Sequence, residues 1–236
     1  MREVAAAAWM ENAQALNPAS QYGSGRKARS VADSAREEIA SLLGCEPIEV
    51  VFTASGTEAD NLAVQGLFHA SPLNRIISTP IEHPGILETV KALELGGAEA
   101  ELMPIGPDGR VSSFEALDKP AAVATMMWAN NETGAIQPPT HIDAVQVVGH
   151  LPVNFDELGA TTLAASAHKF GGPRGVGLLL ARRSPAPSAV LHGGGQERGI
   201  RPGTLDVAGA AATAAALREA VAEVDREATR LRGPKK

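Results

Sequence analysis

Several kinds of residue and pattern are scarce in this sequence, and each scarcity excludes a class of protein. The 236 residues include one cysteine, Cys45, so an intrachain disulfide is impossible, which agrees with a reducing compartment. Aromatic residues make up 3% against 44% hydrophobic, so the core must be built from Ala, Val, Leu and Ile. No run of about 18 apolar residues occurs, which excludes a bilayer-spanning helix.

Positive charge is also scarce. The formal net charge is −6 and no long basic run occurs, which argues against general binding to nucleic acid or to an anionic membrane. The start of the chain, residues 1–8, is too short and too weakly apolar for a signal peptide. These observations together predict a cytoplasmic α/β protein.

Short apolar runs alternate with amphipathic segments along the chain. Helices are predicted at about 26–43, 58–68, 84–95 and 206–231, and strands at 50–52, 76–77, 100–103, 123–128 and 175–181. This alternation predicts a mostly parallel sheet flanked by helices on both faces. The last strand returns from Lys169 through a short Gly-Pro turn, so we expect it to have an antiparallel partner.

Two features of this pattern are unusual. About 11 residues with two prolines and no helical pattern join Trp128 to the segment 140–143, whereas a parallel crossover normally needs a dozen or more. Either these segments are not adjacent parallel strands, or a stretch is absent from this chain. In the last helix, apolar residues at 217, 221, 224, 228 and 231 form a stripe that should pack on a neighbouring domain or subunit.

Lys169 is the most informative residue of the sequence because of its neighbours. An apolar run from Thr162 delivers Ser166, His168 and Lys169 and then stops in a glycine-rich turn. The hydroxyl and the imidazole can bind a phosphate, and the amine can form a Schiff base with an aldehyde. Together they suit pyridoxal phosphate (PLP). By itself the run is equally compatible with a solvated lysine after a strand.

Other segments also place polar groups at strand ends or helix starts, where α/β sheets bind their ligands. Gly56 and Thr57 open a helix whose N-terminus could bind an anion, although an ordinary N-cap is the plainer interpretation. His83 stands just ahead of a helix and could stack on a flat ring and move protons, or could simply be exposed.

Three further segments leave the same kind of choice open. Asn131 follows a buried strand and could bond a phenolic oxygen or belong to an Asx turn. Asp143 could keep a pyridine nitrogen protonated, with Gln146 at the other ring edge, or could cap a helix. The glycine-rich loop 192–204 is either a flexible connector or a ligand-binding loop, and its anion-binding side chains are Arg198, Arg201 and Thr204.

Taken together, six stretches resemble the cysteine desulfurase branch of the class V aminotransferases, which are PLP enzymes of fold type I. The stretches are 51–63, 82–83, 129–134, 143–146, 166–169 and 192–204, and they occur in the family's order. Each is weak alone, but six in order are specific. The resemblance covers most of the chain from about Asn17 and implies the large domain of a fold type I PLP-dependent transferase.

The resemblance implies a role for each candidate residue. Lys169 would form the Schiff base, Asp143 would pair with the pyridine nitrogen, and His83 would stack on the ring. The residues implied to bond the O3′ side of the ring are Asn131 and Gln146. The residues implied to hold the phosphate are Gly56, Thr57, Ser166, His168 and, from the other subunit of a homodimer, Thr204. No metal ligand is implied.

Three parts of the family pattern are expected to be missing from this chain. They are the first strand with a short active-site segment, the helix and strand start at the short join, and the small C-terminal domain with its persulfide-forming cysteine. Residues 1–25 would then be an N-terminal arm remnant, 26–205 the PLP-binding large domain, and 206–236 a helix leading toward the missing domain. Cys45 lies at a helix end and is expected to be structural.

The implied activity is that of a cysteine desulfurase. Intact relatives convert L-cysteine to L-alanine and keep the sulfur as an enzyme persulfide for iron–sulfur cluster or thiolation pathways, with a sulfur-acceptor protein as partner. Lys169 and His83 would carry protons. Without the persulfide-forming cysteine, the chain is expected to be weakly active or inactive alone. The alternatives are another class V enzyme, such as a selenocysteine lyase or an aminotransferase, and a non-catalytic PLP-binding remnant.

Overall fold

The computed structural model describes residues 1–138 and 142–232. Residues 139–141, in the short join, and 233–236, at the end of the C-terminal segment, lie outside the described part. None of the helices in the described part is both long enough and apolar enough to cross a membrane.

The described helices are α1 (Glu3–Asn12), α2 (Gly23–Leu43), α3 (Gly56–Ala70), α4 (Pro84–Leu95), the short α5 (Phe155–Leu158) and α6 (Val207–Arg232). Four of them, α2, α3, α4 and α6, begin and end within about three residues of the predicted positions, whereas α1 and α5 were not predicted. Three local signals set their ends. Gly44 closes α2 with a left-handed φ of 62°, the Ser55 hydroxyl caps α3 by accepting from the Glu58 N–H, and Pro84 opens α4.

The strands are short and mostly buried. They are β1 (Val50–Thr53), β2 (Arg75–Ser78), β3 (Glu99–Leu102), β4 (Val123–Ala124), β5 (Met126–Met127), β6 (Ile142–Asp143), β7 (Thr162–Ser166) and β8 (Gly177–Ala181). They form two sheets, with strand orders β3-β2-β4 and β1-β8-β7-β6-β5. Only Thr125 separates β4 from β5, so the two sheets are joined through one extended segment.

The strand predicted at 123–128 is therefore split. Its first half pairs with β2 and its second half pairs with β6, each in parallel. Thr125 itself donates its N–H to the Ile77 carbonyl of β2 at 2.8 Å, so the pairing with β2 extends through Thr125 before the pairing with β6 begins. Apart from β8, the pairings among the described strands are parallel, which confirms the mostly parallel sheet.

β8 runs antiparallel to both of its neighbours, β7 and β1, as the tight turn after Lys169 predicts. The geometry also decides between the alternatives for the short join. β5 and β6 are adjacent and parallel, so the interpretation that they are not neighbours is wrong. The described part of the join instead makes a tight loop, in which Ala129 bridges Ile136 in antiparallel fashion.

The core is built largely from small aliphatic side chains, as the low aromatic content requires. Its main cluster lies between the sheet and the α2, α6 layer and contains Ile39, Leu163, Leu178 and many alanines. The stripe predicted on α6 begins inside this core, since Leu217 is fully buried and Val221 packs against it. Toward the end of α6 the burial is lost, and Leu231 is 71% exposed. The first part of the stripe thus packs within the chain itself.

Candidate active site

The candidate residues lie at one edge of the sheet because they follow the carboxyl ends of parallel strands. Gly56 follows β1, His83 follows β2, Asn131 follows β5, Asp143 ends β6 and Ser166 ends β7. This edge is where open α/β sheets bind their ligands.

The N-terminus of α3 is open toward this edge. N–H groups in the first turn of a helix have no intrahelical acceptor, and here the Ser55 hydroxyl takes the N–H of Glu58 at 3.1 Å. Gly56 packs so closely that a Cβ there would lie 2.8 Å from the Val145 side chain and 3.3 Å from that of Ser166. The helix start therefore touches both the segment after β6 and the end of β7.

The turn after β7 holds Lys169 on a rigid base. β7 is fully buried, whereas His168 and Lys169 are exposed. The Ser166 Oγ and the His168 Nδ1 lie 2.9 Å apart. Burial and the neighbouring cations Lys169 and Arg174 lower the pKa of His168, so its ring is neutral at pH 7. A neutral imidazole and a hydroxyl are thereby held beside an amine.

Residues that the sequence did not single out fix this turn from behind. The Arg2 backbone N–H donates to the Gly171 carbonyl at 2.7 Å, and its Nε donates to the Phe170 carbonyl at 3.0 Å. The Arg2 guanidinium is in turn paired with Glu223 of α6. These bonds tie α1 and α6 to the turn that carries Lys169.

Asp143 is the buried charged group of the site, only 5% exposed. Burial raises its pKa, while the N–H of Val145, donating to Oδ1 at 2.8 Å, and the positive charges of His83 and Lys169 act to lower it. Burial is the largest of these influences, so the pKa of Asp143 is raised overall. The contact with Val145 is an Asx turn, and no described helix begins at this point, so Asp143 does not cap a helix; its role toward a ring nitrogen stays a prediction.

His83 caps α4, with its Nδ1 accepting from the Gly85 N–H at 3.0 Å. Because Nδ1 accepts this bond, Nε2 is the ring nitrogen that the bond leaves unused. A Cβ on Gly85 would lie 3.1 Å from this Nδ1 and 3.2 Å from the Thr57 side chain. The starts of α3 and α4 therefore meet, which brings Thr57 and His83 together.

The two asparagines after β5 differ in burial and in their hydrogen bonds. Asn130 is buried; its Oδ1 accepts from the N–H groups of Glu132 and Thr133, and its Nδ2 donates to the Ile81 carbonyl at 2.9 Å. Asn131 is exposed and bonds only its neighbour Glu132 among the contacts described. Asn131 is thus the amide available to a ligand, while Asn130 shapes the loop.

Gln146 and Thr204 complete the predicted set. Gln146 is half-buried, three residues after Asp143. Thr204 is exposed and borders a cavity of about 90 Å³ beside Phe52 and Gly175. Its loop is anchored by Arg201, whose Nε donates to Glu58 on α3 at 2.9 Å.

Two buried carboxyls behind the site escaped the sequence analysis as functional groups. Burial raises the pKa of Glu82 to about 8, and it raises that of Asp60 well above its usual value, with the charges of Asp143 and Glu82 adding to the effect. Glu82 belongs to the same short motif as His83, which was the available signal. Asp60 lies on the buried face of α3, where the helical spacing alone could have flagged a charge in the core.

A cavity of about 570 Å³ lies away from this edge, between the end of α3 and the strands β2 and β4. Its lining is mostly apolar, with Leu67, Ile77 and Val123 among its residues and Lys119 at its rim. It contains none of the candidate groups. The convergent polar side chains, rather than cavity size, therefore locate the candidate site.

Comparisons with known proteins agree with this architecture. The family model described as aminotransferase class-V matches residues 4–232. An IscS-like cysteine desulfurase of Mycobacterium tuberculosis is 44% identical over 240 residues, which cover 92% of this chain and 61% of that protein. This chain therefore spans about three fifths of the length of that relative.

Solved structures show the same likeness. A NifS-like protein superposes with a TM-score of 0.92 at 34% identity, covering 97% of this chain and 69% of that one. SspA in complex with cysteine superposes with a TM-score of 0.86 at 29% identity, covering 92% of this chain and 69% of SspA. The chain belongs to the class-V aminotransferase family and is similar to the cysteine desulfurases within it.

Proposed function

We propose that this chain is the PLP-binding part of a cysteine desulfurase that works as a cytoplasmic homodimer on L-cysteine. The observation that carries the proposal is that Asp143 ends β6 while His83 follows β2 and Lys169 follows β7 at the same edge of the sheet, with the carboxyl buried and the amine exposed. The named relatives support the reaction class, and the structure of SspA with cysteine supports the substrate.

The residues present fit PLP in charge, size and donor set. The open start of α3 at Gly56 and Thr57, together with the Ser166 and His168 pair, offers N–H and O–H donors to a phosphate. Glycine at position 56 lets the start of α3 pack against Val145 and Ser166, where a Cβ would lie 2.8 Å from the Val145 side chain. The buried carboxylate of Asp143 suits a pyridinium nitrogen.

Each residue has a distinct task in the proposed reaction. PLP, when bound, supplies an electron sink that weakens the bonds around the amino acid's Cα. The Lys169 amine lies where it can hold the cofactor and move a proton, and His83 offers Nε2 as a second proton carrier. Asn131 and Gln146 would bond the ring edge, and Asp143 would keep the ring nitrogen charged. A thiolate other than Cys45 would have to attack the sulfur of the substrate cysteine, so that the C–S bond breaks as the S–S bond forms and the products are alanine and a persulfide on that thiol.

Cys45 is not proposed as the sulfur-carrying thiol. It is half-buried at the end of α2, and burial, together with the nearby Glu49 and Asp156, raises the pKa of its thiol to about 12. A thiol with such a pKa is almost entirely protonated at neutral pH and is a poor nucleophile.

The proposal is tested by the visible absorption spectrum of the purified chain after PLP is added and the free cofactor removed. We expect a band that survives desalting in the wild type and is lost in Lys169→Ala. Lys91→Ala, which removes an exposed lysine on α4, is the matched control and should keep the band. A colourless wild type, or an equal band in Lys169→Ala, would contradict the proposal.

A further inference from the structure

The loop that carries His83 is fastened to the end of β5 at two points. The Met127 N–H donates to Glu82 Oε1 at 2.9 Å, and Asn130 Nδ2 donates to the Ile81 carbonyl at 2.9 Å. Within the loop, the Thr79 hydroxyl donates to the same Glu82 oxygen at 2.8 Å. Since His83 follows Glu82 directly in the chain, these bonds fix the position of the His83 backbone.

The other oxygen of Glu82 is in an unusual environment. The residue is 4% exposed, and among the described residues Oε2 is buried with no hydrogen-bond partner. Among the described residues, the hydroxyls of Ser78 in β2 and of Thr125 between β4 and β5 are also buried without a hydrogen-bond partner. A carboxylate oxygen left without a partner inside a protein is costly, whereas a neutral carboxylic acid is tolerated far better.

The surrounding charges favour the same state. The titratable groups that act on Glu82 and its neighbours are Asp60 from α3 and Asp143 from β6, and the cations that act on Asp143 are His83 and Lys169. Burial and the charge of Asp143 both favour the protonated form of Glu82. Environments that separate two carboxyls in this way assign them different roles.

We propose that Glu82 is the positioning residue of the site, an uncharged carboxylic acid that clamps the His83 loop to the end of β5. Glu82 then acts through His83 and touches neither cofactor nor substrate itself. The inference rests on the proposed function for its link to PLP, but the clamp can be observed in the cofactor-free chain.

The test compares Glu82→Gln with Glu82→Ala, with Asp60→Asn as the matched control. Glutamine keeps the oxygen that accepts from Met127 and Thr79, and carries an uncharged group in place of Oε2. We expect Glu82→Ala to raise the dissociation constant of PLP by roughly tenfold, which corresponds to the loss of one buried hydrogen bond between uncharged groups. Glu82→Gln and Asp60→Asn should change it by less than about threefold.

Two measurements without cofactor separate the clamp from PLP binding. The NMR signal of the His83 ring should move in Glu82→Ala and stay in Glu82→Gln. The raised pKa of Glu82 also predicts that its contribution to stability, present below its unfolded pKa, is lost as the pH rises toward 8. The melting temperature of Glu82→Gln should therefore rise relative to that of the wild type as the pH increases from 5 to 8.

The outcomes are distinguishable. A wild type that binds no PLP would sink the proposed function, while the His83 signal would still decide the clamp. If Glu82→Gln moves the His83 signal as far as Glu82→Ala does, or if neither variant moves it, the inference is wrong. Should Glu82→Ala fail to fold, a melting temperature of Glu82→Gln that does not gain with pH would equally overturn it.

Discussion

At the scale of single residues, Asp143 shows how a group suited to function can oppose stability. It is buried beneath an amine and an imidazole that partly offset the cost of its charge, yet its pKa remains raised. A carboxyl whose folded pKa exceeds its unfolded value stabilises the fold below the unfolded pKa and loses that contribution as the pH rises. The proposed function gives Asp143 a ligand, the ring nitrogen of PLP, that needs this negative charge.

Asp143→Asn should therefore stabilise the cofactor-free chain and weaken PLP binding. Asparagine can still accept from the Val145 N–H, so the Asx turn is kept while the buried charge is removed. We expect the gain in the free energy of unfolding to grow from pH 4 to pH 7 in denaturant titrations. The affinity for PLP should fall by at least about tenfold, as for the loss of a charge-assisted hydrogen bond. A variant that loses stability with rising pH relative to the wild type would refute this account.

Individual residues also show where sequence reasoning stops. Lys169, His83 and Asp143 could be found because each follows an apolar run, and strand ends collect ligands. Glu82 and Asn130 could not, because their roles depend on bonds to Met127 and Ile81, which are distant in the chain. Asn130 and Asn131 are adjacent and chemically identical, and only burial separates the structural amide from the available one.

At the scale of elements, the glycine-rich loop 192–204 is held in place rather than left as a free connector. Glu197 accepts from Arg36 of α2 at 2.7 Å and from the Phe52 N–H of β1 at 2.7 Å. Arg198 donates to the carbonyls of Ala181 and Arg182 at 2.7 and 3.0 Å. Both loop residues have positive φ, 45° and 61°, a strain that these contacts offset.

Glu197→Ala should lower the free energy of unfolding by about 2 kcal/mol, because Arg36 and the Phe52 N–H then lose their acceptor in a nearly closed site. The Glu197 side chain is 6% exposed and that of Arg36 is 18% exposed. The matched control is Glu38→Ala, which breaks an exposed pair with Arg218 and should cost less than about 1 kcal/mol. Equal urea midpoints for the two variants would show that the anchor contributes little.

The elements also mark how far periodicity reaches. The C-terminal end of α2 and the start of α4 agree with the prediction because Gly44 ends the first helix and Pro84 begins the second. The start of α2, at Gly23, lies three residues before the predicted one. The strand at 123–128 was predicted as one piece, and its division at Thr125 depends on two different partner strands. Local pattern contains no information on which strand lies beside which, so the adjacency of β5 and β6 had to come from the fold.

At the scale of the whole molecule, the position of Thr204 bears on the proposed homodimer. The residue is exposed and borders a small cavity beside Phe52, and the resemblance assigns it to the phosphate of the other subunit. In a homodimer, each Thr204 would then serve the site of the second copy. The hydrogen bonds of Arg201 and Glu197 would then fix the position of Thr204 relative to the partner subunit.

Mixing two defective chains tests this arrangement directly. Lys169→Ala lacks the amine but keeps Thr204, and Thr204→Ala has the reverse composition. If each Thr204 serves the other subunit, a mixed dimer has one site with both defects and one intact site. We expect the desalting-resistant visible band to be weak in either variant alone and to recover on mixing, to about half of the wild-type value per heterodimer. Recovery would also require dimer mass in light scattering. No recovery between variants that demonstrably exchange subunits would assign Thr204 to its own chain and remove the site-based argument for a dimer.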